Sequence, residues 1–104
     1  VAPDLLAEAQ RQADNNNFAT ALHLCQTYLQ DQPLDAHAHT LLGEIYQAQN
    51  NIQQAMESYQ KALYINPNHY AALVHLMLLK QQLGDSEGAK VLARRIERLT
   101  KEQK

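Results

Sequence analysis

The same residue types return every 34 residues along this chain of 104 residues. Four columns show this spacing: Pro33 and Pro67; Asn16, Asn50 and Gly84; Asn17, Asn51 and Asp85; Ala21, Ala55 and Ala89. A fixed period of this length is typical of arrays in which each unit is a small group of packed elements stacked on the next unit. The spacing predicts one domain, 1–104, with units 2–35, 36–69 and 70–103.

The composition favours helices within these units. Val and Ile together number seven, whereas Ala, Leu, Gln, Glu and Lys, which lose little conformational freedom in a helix, are common. Apolar residues also recur at helical spacing, as in the series Ile52, Ala55, Met56, Tyr59, Ala62 and Leu63. We predict an all-α fold with two helices per unit. The six antiparallel helices are expected near 3–14, 17–31, 35–49, 52–65, 69–83 and 86–101, in a right-handed superhelical stack.

The repeated columns also indicate where helices end. Asn and Gly adopt the left-handed conformation that ends a helix more readily than other residues, and Asn or Asp at the next position can cap the following helix. The predicted corners are Asn16, Asn50 and Gly84, and the predicted caps are Asn17, Asn51 and Asp85. Because proline cannot continue a helix, Pro33 and Pro67 should stop the second helix of a pair. Asp35 and Asn68 are suited to begin the next one.

The middle unit, 36–69, carries a characteristic set of residues. The set is Leu42, Gly43, Tyr46, Ala55, Tyr59, Ala62 and Pro67, with His39 where a Trp usually stands in the layout W-x2-L-G-x2-Y…A-x3-F…A…P. In this layout the unit resembles the tetratricopeptide repeat (TPR) family. The small residues Gly43 and Ala55 should let two helices approach closely, and Tyr46 and Tyr59 should fill the surrounding space.

The second half carries a more particular pattern. Its pieces are Ala62-Leu63-Tyr64, Pro67-x-His69-Tyr70, Ala72-Leu73-x-His75-Leu76 and Gly84-Asp85. These pieces resemble the C-terminal TPR domain of CheR-type chemoreceptor glutamate methyltransferases, which transfer methyl groups from S-adenosylmethionine to receptor glutamates. The resemblance implies a noncatalytic module of such an enzyme. No catalytic residue is carried over, and S-adenosylmethionine would bind a domain outside this sequence.

Motifs for catalysis and metal binding are absent from the sequence. It contains no G-x-G-x-x-G, no G-x-x-x-x-G-K-[ST] and no H-E-x-x-H. The five histidines include no i, i+4 pair, and His39 and His75 are expected to be neutral side chains with one hydrogen bond each. Cys25 is expected to be a buried small apolar residue. We therefore expect no enzyme activity, metal or cofactor in this chain.

Charge is distributed unevenly. Residues 90–104 contain six Lys and Arg against two acids, a balance of +4, whereas residues 1–89 contain three against nine, a balance of -6. The basic end could attract an acidic partner or nucleic acid. The interpretation we prefer is that it solubilises the last helix and complements its carbonyl end. We expect no nucleic-acid partner. The apolar residues of the last helix could alternatively contact another protein or another copy.

The sequence also bears on location. No apolar run approaches the roughly 20 residues of a membrane span, so membrane insertion is not expected. A lone cysteine requires no oxidising compartment, and the cytoplasm is the expected location. The chain begins without Met or an apolar leader, and it is interpreted as part of a longer protein.

In the TPR family the first helix of each pair lines a concave groove. Carried over to this sequence, the predicted partner-binding residues are Gln10, His37, Thr40, Glu44, Gln47, Val74, Leu78 and Gln81. The same face includes Leu6, Ala13, Ala48, Ala71 and Gln82. Glu44 and the glutamines could bond a peptide backbone, and Val74 and Leu78 could offer apolar contacts. Alternatively, Val74 and Leu78 pack against the fourth or the last helix.

These observations predict a protein-interaction module, with a protein or peptide segment in the groove. The segment would belong to a chemoreceptor or a regulator of a chemotaxis-type signalling pathway. The alternative is a generic TPR scaffold, or a self-assembly domain, of an unrelated bacterial protein. Chaperone-binding TPR domains clamp a terminal carboxylate with Lys and Asn at groove positions, and Glu44 and Val74 stand at such positions here. A carboxylate clamp is therefore not expected.

Overall fold

A computed structural model describes residues 4–102, which form six α-helices and no strand. The helices are α1 (Leu5–Asp14), α2 (Phe18–Asp31), α3 (Ala36–Ala48), α4 (Ile52–Ile65), α5 (Tyr70–Gln82) and α6 (Ser86–Glu102). The pairs α1–α2, α3–α4 and α5–α6 pack together, and the second helix of a pair packs on the first helix of the next. The predicted all-α class is confirmed, and the helix ends agree within two residues. Residue 3, predicted to be helical, lies outside the described residues.

The corners within the pairs lie at the predicted residues. Asn16, Asn50 and Gly84 have φ angles of 64°, 63° and 84°. The N–H of the residue after each corner donates to a carbonyl five residues earlier; for example, Asn51 N–H donates to Tyr46 O at 2.8 Å. This is the bonding of a helix end with a left-handed residue, which satisfies carbonyls that the helix leaves free. The predicted left-handed corners are confirmed.

The caps after these corners agree only in part. The carboxylate of Asp85 accepts a hydrogen bond from Gly88 N–H at 2.9 Å, as predicted. Asn17 and Asn51 occupy N-cap positions, but within the described part of the chain neither side chain bonds its helix. Their ψ angles of 68° and 73° lie below the extended region that a capping side chain uses. The prediction of side-chain capping at these two residues is wrong.

The connections between the pairs follow the prolines. α2 and α4 each end two residues before a proline, Pro33 and Pro67, which confirms their predicted role. Asp35 is the N-cap of α3, and its side chain accepts from the third residue of that helix at 3.1 Å. Asn68 was expected to begin α5, but the N-cap is His69. The backbone N–H of Asn68 donates instead to a side-chain oxygen in the turn, at 3.1 Å.

The core consists of two clusters of buried side chains. The first cluster lies between the first and second pairs and contains Ala9, Ala21, Cys25, Leu41 and Ile45. The second cluster lies between the second and third pairs and contains Ala55, Tyr59, Leu73, Leu76, Leu79 and Leu92. The middle pair contributes to both clusters, so stacking supplies the core that one pair alone lacks.

Cys25 lies inside the first cluster. Its side chain is fully buried, as predicted, and its Sγ donates to Ala38 O at 3.3 Å. Burial, together with the nearby charge of Asp35, raises the pKa of the thiol from 9.0 to about 11. The thiol is therefore protonated near neutral pH, and it serves as a small apolar side chain.

The two helices of the middle pair meet at Gly43 and Tyr59. Tyr59 is fully buried, and a β-carbon on Gly43 would lie 2.6 Å from its Cδ1 atom. Ala55 is also fully buried, and the half-buried Tyr46 packs against the same cluster. Small and aromatic residues therefore meet as the sequence predicts. This contact fixes α3 against α4 and so fixes the surface that α3 presents on its other side.

Candidate partner-binding groove

The groove is the surface formed by the first helices of the pairs, α1, α3 and α5. α3 contacts both α1 and α5, so the three helices lie side by side. Residues 34 apart occupy equivalent positions in successive units, and Gln10, Glu44 and Leu78 therefore form a row across the groove. We call these three residues the groove row. It places an amide, a carboxylate and an apolar side chain on three neighbouring helices.

Glu44, in the centre of the groove row, is held by a series of contacts. Its Oε1 lies 2.7 Å from His75 Nε2 on α5. The His75 ring stacks on Tyr59, with centroids 5.4 Å apart and planes 8° apart. The hydroxyl of Tyr59 donates to Gln47 Oε1 at 2.8 Å. The Glu44 side chain still remains 38% exposed, so the carboxylate is both positioned and open to solvent.

His39 and His75 each have one polar contact within residues 4–102, and their predicted neutral state stays a prediction. His39 Nε2 lies 2.9 Å from Pro33 O, and His75 Nε2 lies 2.7 Å from Glu44 Oε1. His75 was not among the predicted groove residues, although it contacts one of them. No sequence pattern could have selected His75, because its neighbours Glu44 and Tyr59 are distant from it in sequence.

A cleft of about 190 Å³ opens between α1 and α3 at one end of the groove row. Its lining residues are Gln10, Ala13, Asp14, Phe18, Leu41, Glu44 and Ile45. Gln10 Nε2 donates to Asp14 Oδ1 at 3.0 Å, so the predicted groove residue Gln10 orients a carboxylate that the sequence analysis did not select. Asp14 could have been selected from the sequence, because Ala48 and Gln82, at the equivalent positions of the later units, were both placed on the groove face.

The α5 end of the groove is more apolar. Leu78 is 45% exposed, so the helices formed by residues 4–102 leave almost half of it open to solvent. Val74 is half-buried on the same helix, and Gln81 is exposed. An exposed leucine beside a half-buried valine provides apolar contact area on an otherwise polar surface.

Two predicted groove residues have other surroundings. Thr40 is only 2% exposed, and its hydroxyl donates to Ala36 O at 2.9 Å, so it is not available to a partner. The prediction that Thr40 contacts a partner is wrong, because the turn of α3 places its side chain in the core. His37 is exposed, and its ring meets the edge of His69 with centroids 6.3 Å apart. Burial, and secondly the charge of His37, lowers the pKa of His69.

The basic helix α6 pairs part of its charge internally. Lys90 lies 3.6 Å from Glu87, and Lys101 lies 3.2 Å from Glu97. The remaining exposed cations include Arg94 and Arg98, which line a shallow surface depression together with Val91. The Lys90–Glu87 and Lys101–Glu97 pairs have the i, i+3 and i, i+4 spacing that is typical of a solvated helix surface.

Residues 4–102 contain neither a metal-ligand cluster nor a membrane span. In this range no group of three or more His, Cys, Asp or Glu side chains could hold a metal ion. No helix of this range is long and apolar enough to cross a membrane.

Comparison with known proteins agrees with the repeat geometry. The model of a family described as tetratricopeptide repeat matches residues 36–69, the same limits as the predicted middle unit. Residues 36–69 are thus a tetratricopeptide repeat. The TPR domain of Sgt2 from Aspergillus fumigatus has the same fold, with a TM-score of 0.81 and 21% identity over 88% of the TPR chain and 60% of the Sgt2 chain.

Two relatives of this TPR chain carry the same name, probable biofilm formation methyltransferase WspC. The protein from Pseudomonas putida is 39% identical over 97% of the TPR chain and 24% of its own length. The protein from Pseudomonas aeruginosa is 34% identical over 88% of the TPR chain and 22% of its own length. The TPR chain thus spans about a quarter of the length of these curated relatives. The predicted resemblance to the repeat region of a methyltransferase is confirmed.

Proposed function

We propose that this TPR chain is the noncatalytic interaction module of a chemotaxis-type protein-glutamate methyltransferase. It binds a receptor or regulatory segment in the groove. Its proposed location is the cytoplasm. The similarity to a methyltransferase along 97% of the TPR chain supports the assignment to such an enzyme. S-adenosylmethionine and the reacting glutamate would be held by other parts of the parent enzyme.

The observation that carries the groove assignment is the groove row itself. Leu78 is 45% exposed, and Glu44 is exposed but held in position by His75. A protein segment that crosses the three helices can bury its apolar residues on Leu78 and Val74 and can donate hydrogen bonds to Glu44. The surface thus combines apolar area with a fixed acceptor.

The module would act by raising the local concentration of its partner near the catalytic domain. Binding of one segment makes the second encounter intramolecular, with an effective concentration near mM for a short flexible linker. Even a weak groove contact can therefore select one receptor among several. This role requires no reactive group on the groove.

The test is a titration of the chain with the cytoplasmic segments of receptors, in which the variant Glu44→Lys plus Leu78→Asp is compared with the original chain. The matched control is Glu57→Lys plus Tyr64→Asp, because both residues are exposed on α4 and the charge changes are equal. We expect the groove variant to bind at least about tenfold more weakly, a loss near 1.4 kcal/mol. Unchanged binding by a folded groove variant would show that the groove is not the binding surface.

Self-assembly or scaffolding is the second candidate function. It is supported by Val91, an exposed apolar residue on α6 beside the depression that Arg94 and Arg98 line. Sedimentation over a wide concentration range separates the two functions. A monomer at every concentration would count against self-assembly, whereas a dimer that Val91→Asp dissociates would support it.

A further inference from the structure

The cleft between α1 and α3 combines two carboxylates with an apolar floor. Asp14 and Glu44 line the cleft, and its accessible apolar lining comes from Ala13 and Phe18 above Leu41 and Ile45. Leu41 and Ile45 are buried core residues, so the floor is anchored in the first cluster. The cleft thus offers apolar contact below and negative charge above.

Each of the two carboxylates uses one oxygen to hold its position. Asp14 Oδ1 accepts from Gln10, and Glu44 Oε1 meets His75. The other oxygens, Asp14 Oδ2 and Glu44 Oε2, take part in none of the hydrogen bonds made between residues 4 and 102. Two positioned acceptors therefore face solvent beside the same cleft.

Within residues 4–102 no Lys or Arg pairs with the two acids of the cleft, and the imidazole of His75 meets only Glu44 Oε1. The residues that line it include two acids and no Lys or Arg. The Arg and Lys side chains of α1 and α5 are occupied elsewhere, because Arg11 pairs with Glu8 and Lys80 pairs with Asp85. A cationic group is the ligand that this arrangement complements.

We propose that the cleft takes one Lys or Arg side chain of the bound partner segment. The aliphatic stem would lie along Ala13 and Phe18, and the charged group would donate to the free oxygens of Asp14 and Glu44. This inference rests on the proposed function, because it names the chemistry of the segment that the groove accepts. It specifies a basic residue and not a carboxylate terminus.

The groove row also sets a spacing for the partner. Glu44 and Leu78 lie on neighbouring helices, whose axes are typically about 8 to 10 Å apart. An extended segment covers this distance in about three residues. The segment should therefore carry an apolar residue about three positions from its basic residue, so that one meets Leu78 while the other enters the cleft.

The test uses a synthetic peptide that works in either chain direction. It is an acetylated, amidated peptide with the sequence Gly-Ser-Leu-Ala-Ala-Lys-Ala-Ala-Leu-Ser-Gly, and its matched form carries acetyl-lysine at the centre. Calorimetric titration and amide chemical shifts of the labelled chain measure affinity and location. Acetylation removes the charge and keeps the stem, so the comparison isolates the carboxylates.

Variants of the chain supply the second comparison. Asp14→Asn plus Glu44→Gln removes the two charges at constant shape, and Asp31→Asn plus Glu57→Gln removes two exposed charges on α2 and α4. We expect the cleft variant, and separately acetylation of the peptide, to weaken binding at least about fivefold. The control variant should bind as the original chain does. Thermal unfolding confirms that each variant is folded.

The outcomes separate this inference from the proposed function. Equal binding of the lysine and acetyl-lysine peptides overturns the inference, and so does the absence of any binding at millimolar peptide. If Leu78→Asp weakens a receptor segment while the cleft variant does not, the groove function stands and the basic-residue inference fails. If neither variant weakens that segment, both fail.

Discussion

The ring of Tyr59 occupies the space that a side chain on Gly43 would need. A β-carbon there would lie 2.6 Å from Cδ1, which is closer than such contacts occur in folded proteins. Tyr59 cannot move freely, because its ring stacks on His75 and its hydroxyl bonds Gln47. The contact therefore joins the packing of the middle pair to the groove surface.

Gly43→Ala should destabilise the chain by about 1 to 3 kcal/mol, because the added methyl group overpacks the contact. Urea unfolding measures the loss. The control is the same substitution in a Tyr59→Leu background, where the ring no longer fills the space. We expect the loss there to be clearly smaller, and equal losses in both backgrounds would contradict the overpacking explanation.

Asn50→Ala should cost about 1 kcal/mol, because alanine is strained at the φ of 63° found at this corner. Asn50→Gly should cause little loss, since glycine adopts this conformation without strain. Gly84→Ala should also cost about 1 kcal/mol; a β-carbon there would meet nothing within 4 Å, so only the backbone is strained. Thermal or urea unfolding measures all three.

The control for the corner variants is Asn51→Ala. Asn51 is the N-cap of α4, but within residues 4–102 its side chain makes no cap hydrogen bond. We expect a loss below about 0.5 kcal/mol, as for an ordinary surface substitution. A loss as large as that of Asn50→Ala would mean that the Asn51 side chain stabilises the helix start after all.

The stability of the chain should fall at acid pH partly through Asp35. Burial alone would raise the pKa of Asp35, but hydrogen bonds from the Tyr28 hydroxyl, at 2.5 Å, and from backbone N–H groups lower it below 3.8. A carboxyl with a lower pKa in the folded state contributes stability above its unfolded pKa and loses it as pH falls through the folded value. The contribution should be complete above about pH 5 and decline below about pH 4.

Asp35→Asn isolates this contribution, because asparagine still caps a helix but does not titrate. The difference in unfolding free energy between pH 7 and pH 3 should be smaller in the variant than in the original chain. Asp85, whose pKa is lowered by the Gly88 N–H and by Lys80, titrates in both and cancels in the comparison. An unchanged pH dependence would show that Asp35 is not a contributor.

Cys25 should react slowly with iodoacetamide in the folded chain. A pKa raised from 9.0 to about 11 lowers the thiolate fraction about 100-fold at pH 8, and burial blocks access as well. We expect labelling at least about 100-fold slower than in the urea-unfolded chain, measured by mass spectrometry. Rapid labelling without denaturant would reveal a locally open first cluster.

Features set by local backbone chemistry could be predicted from the sequence. The corners at Asn16, Asn50 and Gly84 follow from the few residues that tolerate positive φ, and the helix ends follow from the prolines. The family layout also located the close contact of Gly43 with Tyr59. Side-chain capping at Asn17 and Asn51 could not be predicted, because it depends on a few tens of degrees in ψ.

The groove could be predicted as a helix face but not in its detail. The face selected Gln10, Glu44 and Leu78, which are exposed or half-exposed, yet it also selected the buried Thr40. A face defined by spacing alone does not state how far a neighbouring helix covers it. The acceptors of the cleft depend on pairs such as Glu44 and His75, which only the packing of α3 against α5 brings together.

The middle pair connects the two ends of the molecule, because it contributes to both clusters of the core. Between residues 4 and 102 no helix of the first pair touches a helix of the third, so each end of the stack is attached only through α3 and α4. The groove row crosses both attachments. A segment bound along the groove row would link all three pairs and oppose their separation. Slower amide exchange in α1 and α6, at the two far ends, would detect this effect.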